Sequence, residues 1–188
     1  DQHNKMSKRH GDPSYEDLRA QGYLTEAILN YVALLGWSPR GDQAEREVFS
    51  LEELSEIFDI AGISKSPAIF DIEKLTHFNA LYLRAMTPER FAQVAEPYIR
   101  RTVTDPALDT AAIAALLQAR CERLTDIPEK VAFFQTLPAY EKDLFTNKKA
   151  KTNEEVARTM LSAAIEALEA LPQWDQASVH DCLIALAE

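Results

Sequence analysis

Apolar residues recur at three- and four-residue steps through most of this chain, the signature of amphipathic helices. Leu24, Ile28, Tyr31, Val32 and Leu35 form one such series, and Leu29, Ala33 and Leu34 fill the other side. A helix opening at Thr25 as its cap and closing at Gly36 is therefore predicted to be buried on several faces. Ahead of it, Ser14 and Asp17 predict a short capped helix that runs to Gln21 and stops at Gly22. Ser50 with Glu53 predicts a capping box over residues 51–58. Asp71 opens a helix with Ile72, Leu75, Phe78 and Tyr82 on one stripe, and Thr87-Pro88 opens another with Phe91, Val94 and Ala95 inward. Pro97 is expected to kink or end that helix. Asp109 is expected to cap a helix over about residues 110–122, with Ile113, Leu116 and Leu117 buried. Thr125 is expected to cap the next, with Val131 and Phe134 inward. Thr152 or Asn153 begins the longest pattern, ending near Leu171, with Val156, Met160, Leu161, Ala164, Leu168 and Leu171 on one face. Pro172 stops it, and a last helix over 176–187 turns Val179, Leu183 and Leu186 inward. Strand signals are confined to Val48-Phe49 and the extended run Ala68-Ile69-Phe70.

The fold class that follows is mainly α: a helical region with at most two short strands, then a helical bundle. Boundaries near Ala85 and Tyr140 divide the chain into 1–85, 86–140 and 141–188. With 46% apolar and 27% charged residues the chain is globular, and its five glycines favour helices over a turn-rich sandwich. Cys121 and Cys182 lie far apart and are expected to be reduced, buried thiols. The four histidines, His3, His10, His77 and His180, form no ligand set, so no metal is expected. No apolar run is long enough for a bilayer and the amino end is polar, so a cytoplasmic protein without a membrane partner is expected.

A net charge of −10 argues against a general nucleic-acid binder, which needs basic surface to neutralise phosphates. The cations are gathered, however: Lys5/Lys8/Arg9, Arg100/Arg101, Arg120/Arg123 and Lys148/Lys149/Lys151. The first group stands in Lys5-Met6-Ser7-Lys8-Arg9-His10-Gly11, where three cations surround a small hydroxyl residue. Lysine ammoniums act as point charges on polyanions, and a short side chain lets the backbone approach, so this run suits phosphate.

That run, with the Gly22-Tyr23-Leu24 step and Ile28-Leu29-Asn30-Tyr31-Val32-Ala33-Leu34-Leu35-Gly36-Trp37, resembles the segment following the "KMSKS" loop of class I aminoacyl-tRNA synthetases, most closely the glutamyl branch. Ser64-Lys65-Ser66-Pro67-Ala68-Ile69-Phe70-Asp71-Ile72-Glu73-Lys74-Leu75 is similar to a second block of that family, followed by Asn79 and Tyr82-Leu83-Arg84. Beyond Leu108 the likeness is looser, with Asp126-Ile127-Pro128-Glu129-Lys130-Val131 as its anchor. The resemblance implies that 1–85 holds the KMSKS loop and a stem-contact region, 86–140 a first anticodon-binding subdomain, and 141–188 a second, incomplete one. No "HIGH"-like run is present, so the chain reads as a carboxy-terminal piece of such an enzyme, inactive alone and holding no cofactor.

The reaction implied is ATP-dependent, with Mg2+: glutamate attacks the α-phosphate, and the glutamyl group then passes from the adenylate to tRNA(Glu). Lys8 would meet charge developing on the triphosphate, and Lys5, Met6, Ser7 and Arg9 would shape the loop around ATP. Arg120 falls where the family places a residue facing the first anticodon base. Lys65, Arg84, Arg101, Lys148 and Lys149 are further candidate tRNA-binding residues, and Lys74 is a possible phosphate contact. The partners implied are tRNA(Glu), with ATP and L-glutamate in the parent enzyme, which is expected to be a monomer. The alternatives are a helical protein–protein adaptor with no nucleic-acid role, a glutaminyl-tRNA synthetase-like paralogue, and a natural split-gene subunit.

Overall fold

The computed structural model describes residues 12–187, which fall into two compact units divided between Leu137 and Pro138. In the first unit the helices are α1 (Tyr15–Ala20), α2 (Thr25–Gly36), α3 (Leu51–Ile57), α4 (Ile72–Ala85), α5 (Pro88–Ile99), α6 (Thr110–Leu117), α7 (Ile127–Lys130) and α8 (Ala132–Gln135). The second holds α9 (Glu154–Glu169) and α10 (Gln176–Ala187). The fold is mainly helical, and among the described residues β pairing is limited to two isolated bridges, Trp37 with Ile63 and Asn147 with Thr152.

Local signals set most helix starts. Ser14 and Ser50 each close a full capping box, with Asp17 and Glu53 as the reciprocal acceptors. Asp71 accepts from the Glu73 and Lys74 amides, Thr87 from Arg90, Asp109 from Ala111 and Asn153 from Val156. Two starts differ from expectation. Leu24, without a side-chain cap, precedes α2, and the Thr25 hydroxyl instead bonds Tyr15 Oη at 2.8 Å, tying α1 to α2. The Thr125 hydroxyl is likewise committed elsewhere, donating to the Gln21 carbonyl at 2.6 Å, and α7 begins after Asp126 with no side-chain cap.

Other departures have tertiary causes. Leu29 and Val32 are 42% and 51% exposed, so α2 buries one face, through Ala27, Ile28, Asn30 and Tyr31. Val48-Phe49 is not a strand: the buried Asn30 side chain donates to the Glu47 carbonyl and accepts from the Phe49 amide, and Tyr82 Oη donates to the Phe49 carbonyl at 2.5 Å. Pro97 lies inside α5, which continues to Ile99. The Gln93 carbonyl loses its usual donor there, and Gln93 lies on the exposed side, where water can replace it. The α6 helix stops at Leu117 and passes into a 3₁₀ turn over Gln118–Arg120, leaving Leu116 67% exposed.

One core packs Leu24 and Ala27 with Leu83, Phe91, Ile99, Ile113, Ile127 and Val131, so α2 and α4 share it with α5–α7. A second joins Leu18, Tyr23, Ile28 and Tyr31 to Leu75 and Phe78, and a third holds Trp37, Phe49 and Leu54. In the second unit α9 packs on α10, yet none of the described residues there is buried. Ala164, Leu168, Leu171, Val179 and Leu186 are half-buried, whereas Val156, Met160, Leu161 and Leu183 are exposed, contrary to the single inward face expected. Two helices meeting along one line cannot enclose stripes this wide.

Candidate functional site

Gly22 anchors the site. It adopts φ +88°, open to glycine at little cost, and a Cβ there would lie 2.6 Å from the Thr125 nitrogen and 2.9 Å from that of Leu124. Only glycine lets the 121–126 backbone come this close. The Gly22 carbonyl accepts from the Leu124 amide at 3.2 Å, and the neighbouring Gln21 carbonyl takes the Thr125 hydroxyl.

The buried Asn79, midway along α4, completes the junction. Its Oδ1 accepts from the Leu24 amide at 2.8 Å, and its Nδ2 donates to the Glu122 carbonyl at 2.6 Å. The connector over 118–126 is held along its length. Gln118 Nε2 donates to the Leu83 and Met86 carbonyls, Arg84 Nε to the Ala119 carbonyl at 3.1 Å, and Lys130 Nζ to the Arg120 carbonyl at 2.9 Å. Arg123 pairs with Asp126 at 2.9 Å.

Arg120 stands on this connector with an exposed side chain, and no hydrogen bond or ion pair engages its guanidinium among the described residues. Its neighbours Arg84, Arg123 and Lys130 all have partners within the chain. The arrangement leaves one planar cation, on a fixed backbone, able to take acceptors from outside. Such a fork matches base edges and phosphates. Beside it, Cys121 is buried, which pushes its thiol up to about 11, so it is not a thiolate nucleophile at neutral pH.

The other sequence candidates are scattered. Lys5, Met6, Ser7, Lys8 and Arg9 lie outside the described residues. Lys65 is exposed in the loop before α4, and Arg101 stacks on the Tyr98 ring at 4.4 Å. Lys74 is occupied by Glu47 at 3.0 Å. Lys148 and Lys149 belong to the second unit, where Asn147 and Thr152 exchange two 3.1 Å backbone bonds and close a tight loop. Asn147 Oδ1 accepts from the Lys149 and Ala150 amides, and Lys151 takes φ +55°. Among the described residues, Arg84 and Arg120 meet on the connector, and Lys148 and Lys149 share the loop of the second unit. Sequence reasoning missed Asn79 as a site residue, although it lies four residues from both Leu75 and Leu83, and a polar side chain in an apolar stripe needs buried partners. Among the described residues no group of His, Cys, Asp or Glu is arranged to hold a metal, and no helix is long and apolar enough to cross a membrane.

Two segments of the chain match known families. Residues 1–77 match the family described as tRNA synthetases class I (E and Q), catalytic domain, and residues 90–188 match that described as Anticodon binding domain. Over all 188 residues the chain is 45% identical to a glutamate–tRNA ligase of Clostridium botulinum strain Hall, and it spans 38% of that protein. It is 45% identical over 186 residues to that of Clostridium tetani strain E88, covering 99% of this chain and 37% of the relative. The crystal structure of a glutamate tRNA ligase from Elizabethkingia meningosepticum in complex with its amino acid superposes with a TM-score of 0.76 at 28% identity, over 98% of this chain and 39% of that one. The chain thus spans well under half the length of the curated relatives it matches. The second family match takes in Arg120, the connector after it and more than half of the sequence, and by it the chain belongs to the anticodon binding domain family, preceded by a segment similar to the class I (E and Q) tRNA synthetases.

Proposed function

We propose that this chain is the tRNA-recognising portion of a glutamate–tRNA ligase, the enzyme that joins glutamate to tRNA through an ATP-derived adenylate. The observation that carries this reading is Arg120. It is an exposed arginine with an uncommitted guanidinium, on a backbone pinned at three successive places, inside the segment that matches an anticodon-binding family. A helical adaptor without an RNA role is not favoured, because one family match is to a tRNA synthetase catalytic domain and the other to an anticodon binding domain.

In this reading 1–85 carries the KMSKS loop and the stem-contact region, 86–140 a first anticodon-binding subdomain and 141–188 part of a second. Arg120 takes base-edge acceptors of an unstacked anticodon nucleotide. Lys65, Arg101, Lys148 and Lys149, all exposed, meet backbone phosphates. Arg84 acts indirectly, since its Nε already holds the Ala119 carbonyl. Lys8 stabilises charge on the triphosphate, with Lys5, Met6, Ser7 and Arg9 shaping the loop. Mg2+ is implied alongside ATP in the whole enzyme, and among the described residues no group of His, Cys, Asp or Glu is arranged to hold it. The partners of the whole enzyme are tRNA(Glu), ATP and L-glutamate, and it works as a cytoplasmic monomer.

The test is titration of the chain with a tRNA(Glu) transcript at several salt concentrations. Binding that weakens steeply with salt is expected. Arg120→Glu is expected to weaken it by roughly tenfold or more, since it removes a base contact and adds repulsion. Binding that ignores both salt and Arg120→Glu would contradict the proposal.

A further inference from the structure

The connector that carries Arg120 has little helical structure of its own beyond one 3₁₀ turn on either side, and Cys121 between them is extended. Its shape is imposed by side-chain donors on the carbonyls of residues 119, 120 and 122. Two of those donors, Arg84 and Lys130, act at exposed positions, where water competes for the bond. The third, Asn79, is fully buried. Its carboxamide also holds the Leu24 amide, so one planar group fixes the spacing between two chain segments. The bond to the Leu24 amide is buried and the one to the Glu122 carbonyl part-buried, so water competes less for them than for the two exposed bonds, and leaving the Asn79 carboxamide unpaired is costly. The α4 backbone behind Asn79 is itself anchored by the fully buried Leu75, Phe78 and Leu83.

We propose that Asn79 is a positioning residue for RNA recognition: its bond to the Glu122 carbonyl sets the connector on which Arg120 meets the anticodon, and its bond to Leu24 ties that connector to the entry of α2. This rests on the reading of Arg120 given above. Asn79→Asp isolates the step. It keeps the shape and the acceptor for Leu24, but sets a carboxylate oxygen where Nδ2 now stands 2.6 Å from a carbonyl oxygen. At a pH high enough to ionise that carboxyl, the connector must then move away.

The experiment measures affinity of the chain for a tRNA(Glu) transcript and for transcripts with each anticodon base replaced in turn. The proteins are wild type, Arg120→Ala, Asn79→Asp and the double variant. Arg120→Ala is expected to cut discrimination between these RNAs by roughly tenfold. Asn79→Asp is expected to cut it nearly as far, with affinity for the poorest RNA held within about twofold, and the double variant to be no worse than Arg120→Ala alone. Multiplying losses in the double variant would show that Asn79 does not act through Arg120, and the proposal falls. Retained discrimination in Asn79→Asp beside a loss in Arg120→Ala also overturns it, leaving the reading of Arg120 standing. Retained discrimination in Arg120→Ala overturns both. If Asn79→Asp fails to fold, Asn79→Ser decides: it removes the Nδ2 donor to the Glu122 carbonyl without adding charge, and unchanged discrimination there refutes the proposal.

Discussion

The Tyr82 hydroxyl is held against the Phe49 carbonyl, and burial pushes its pKa up to about 12. Cys121 is raised to about 11, again mainly by burial, with Asp126 adding to it. Both groups are neutral when protonated, so the folded state favours the proton more than the unfolded state does. Their contribution is whole below the ordinary values of 9.0 for the thiol and 10.0 for the phenol, and it drains as pH climbs through about 11 and about 12. The melting temperature is therefore expected to fall from pH 9 upward in two overlapping stages. Tyr82→Phe should flatten the upper stage while costing about 0.5–1.5 kcal/mol at neutral pH, the worth of one hydrogen bond. An unaltered alkaline slope in Tyr82→Phe would show that the phenol ionises freely in the folded chain.

Between helices and loops, what could be read in advance depended on how far away the deciding atoms were. The boxes at Ser14 and Ser50 close within three residues, and both were legible. So were Thr87 with Pro88, and the starts at Asp71, Asp109 and Asn153. Thr125 has the composition of a cap, but its hydroxyl is taken by Gln21, 104 residues earlier. Val48-Phe49 has strand composition and is held as a loop by Asn30 and Tyr82. The site divided in the same way. Arg120 stood out by its spacing from a family-like anchor, whereas the pinning of its backbone rests on Asn79, Gln118 and Lys130, whose targets no local pattern reveals. Helix caps also give a local measurement. Ser50→Ala is expected to cost about 1 kcal/mol and to loosen α3 first, seen as faster amide exchange over Leu51–Ile57. A loss spread evenly over the chain would argue against a local cap.

For the molecule as a whole, a net charge of −10 and an RNA partner are compatible if cations are focused and the rest of the surface repels wrong polyanions. On the proposed reading, Arg120 on its held connector and the three lysines between Asn147 and Thr152 supply such cations, each within its own unit. The proposed division of labour can be checked in a complete ligase containing this sequence. Lys8→Ala is expected to lower glutamate-dependent pyrophosphate exchange strongly, by about a hundredfold or more, and to leave tRNA affinity nearly unchanged. Exchange at the wild-type rate would remove Lys8 from the chemistry without touching Arg120.

The junction at Gly22 also governs when the chain can finish folding. Gln21 and Thr125 are 104 positions apart, and a ribosome adding about 5–20 residues per second delivers the second roughly 5–20 s after the first. Throughout that wait Leu24 and Ala27 have no Ile127 or Val131 to lie against. The helices of the first unit thus emerge with part of their apolar surface uncovered until the last strip of their core is synthesised.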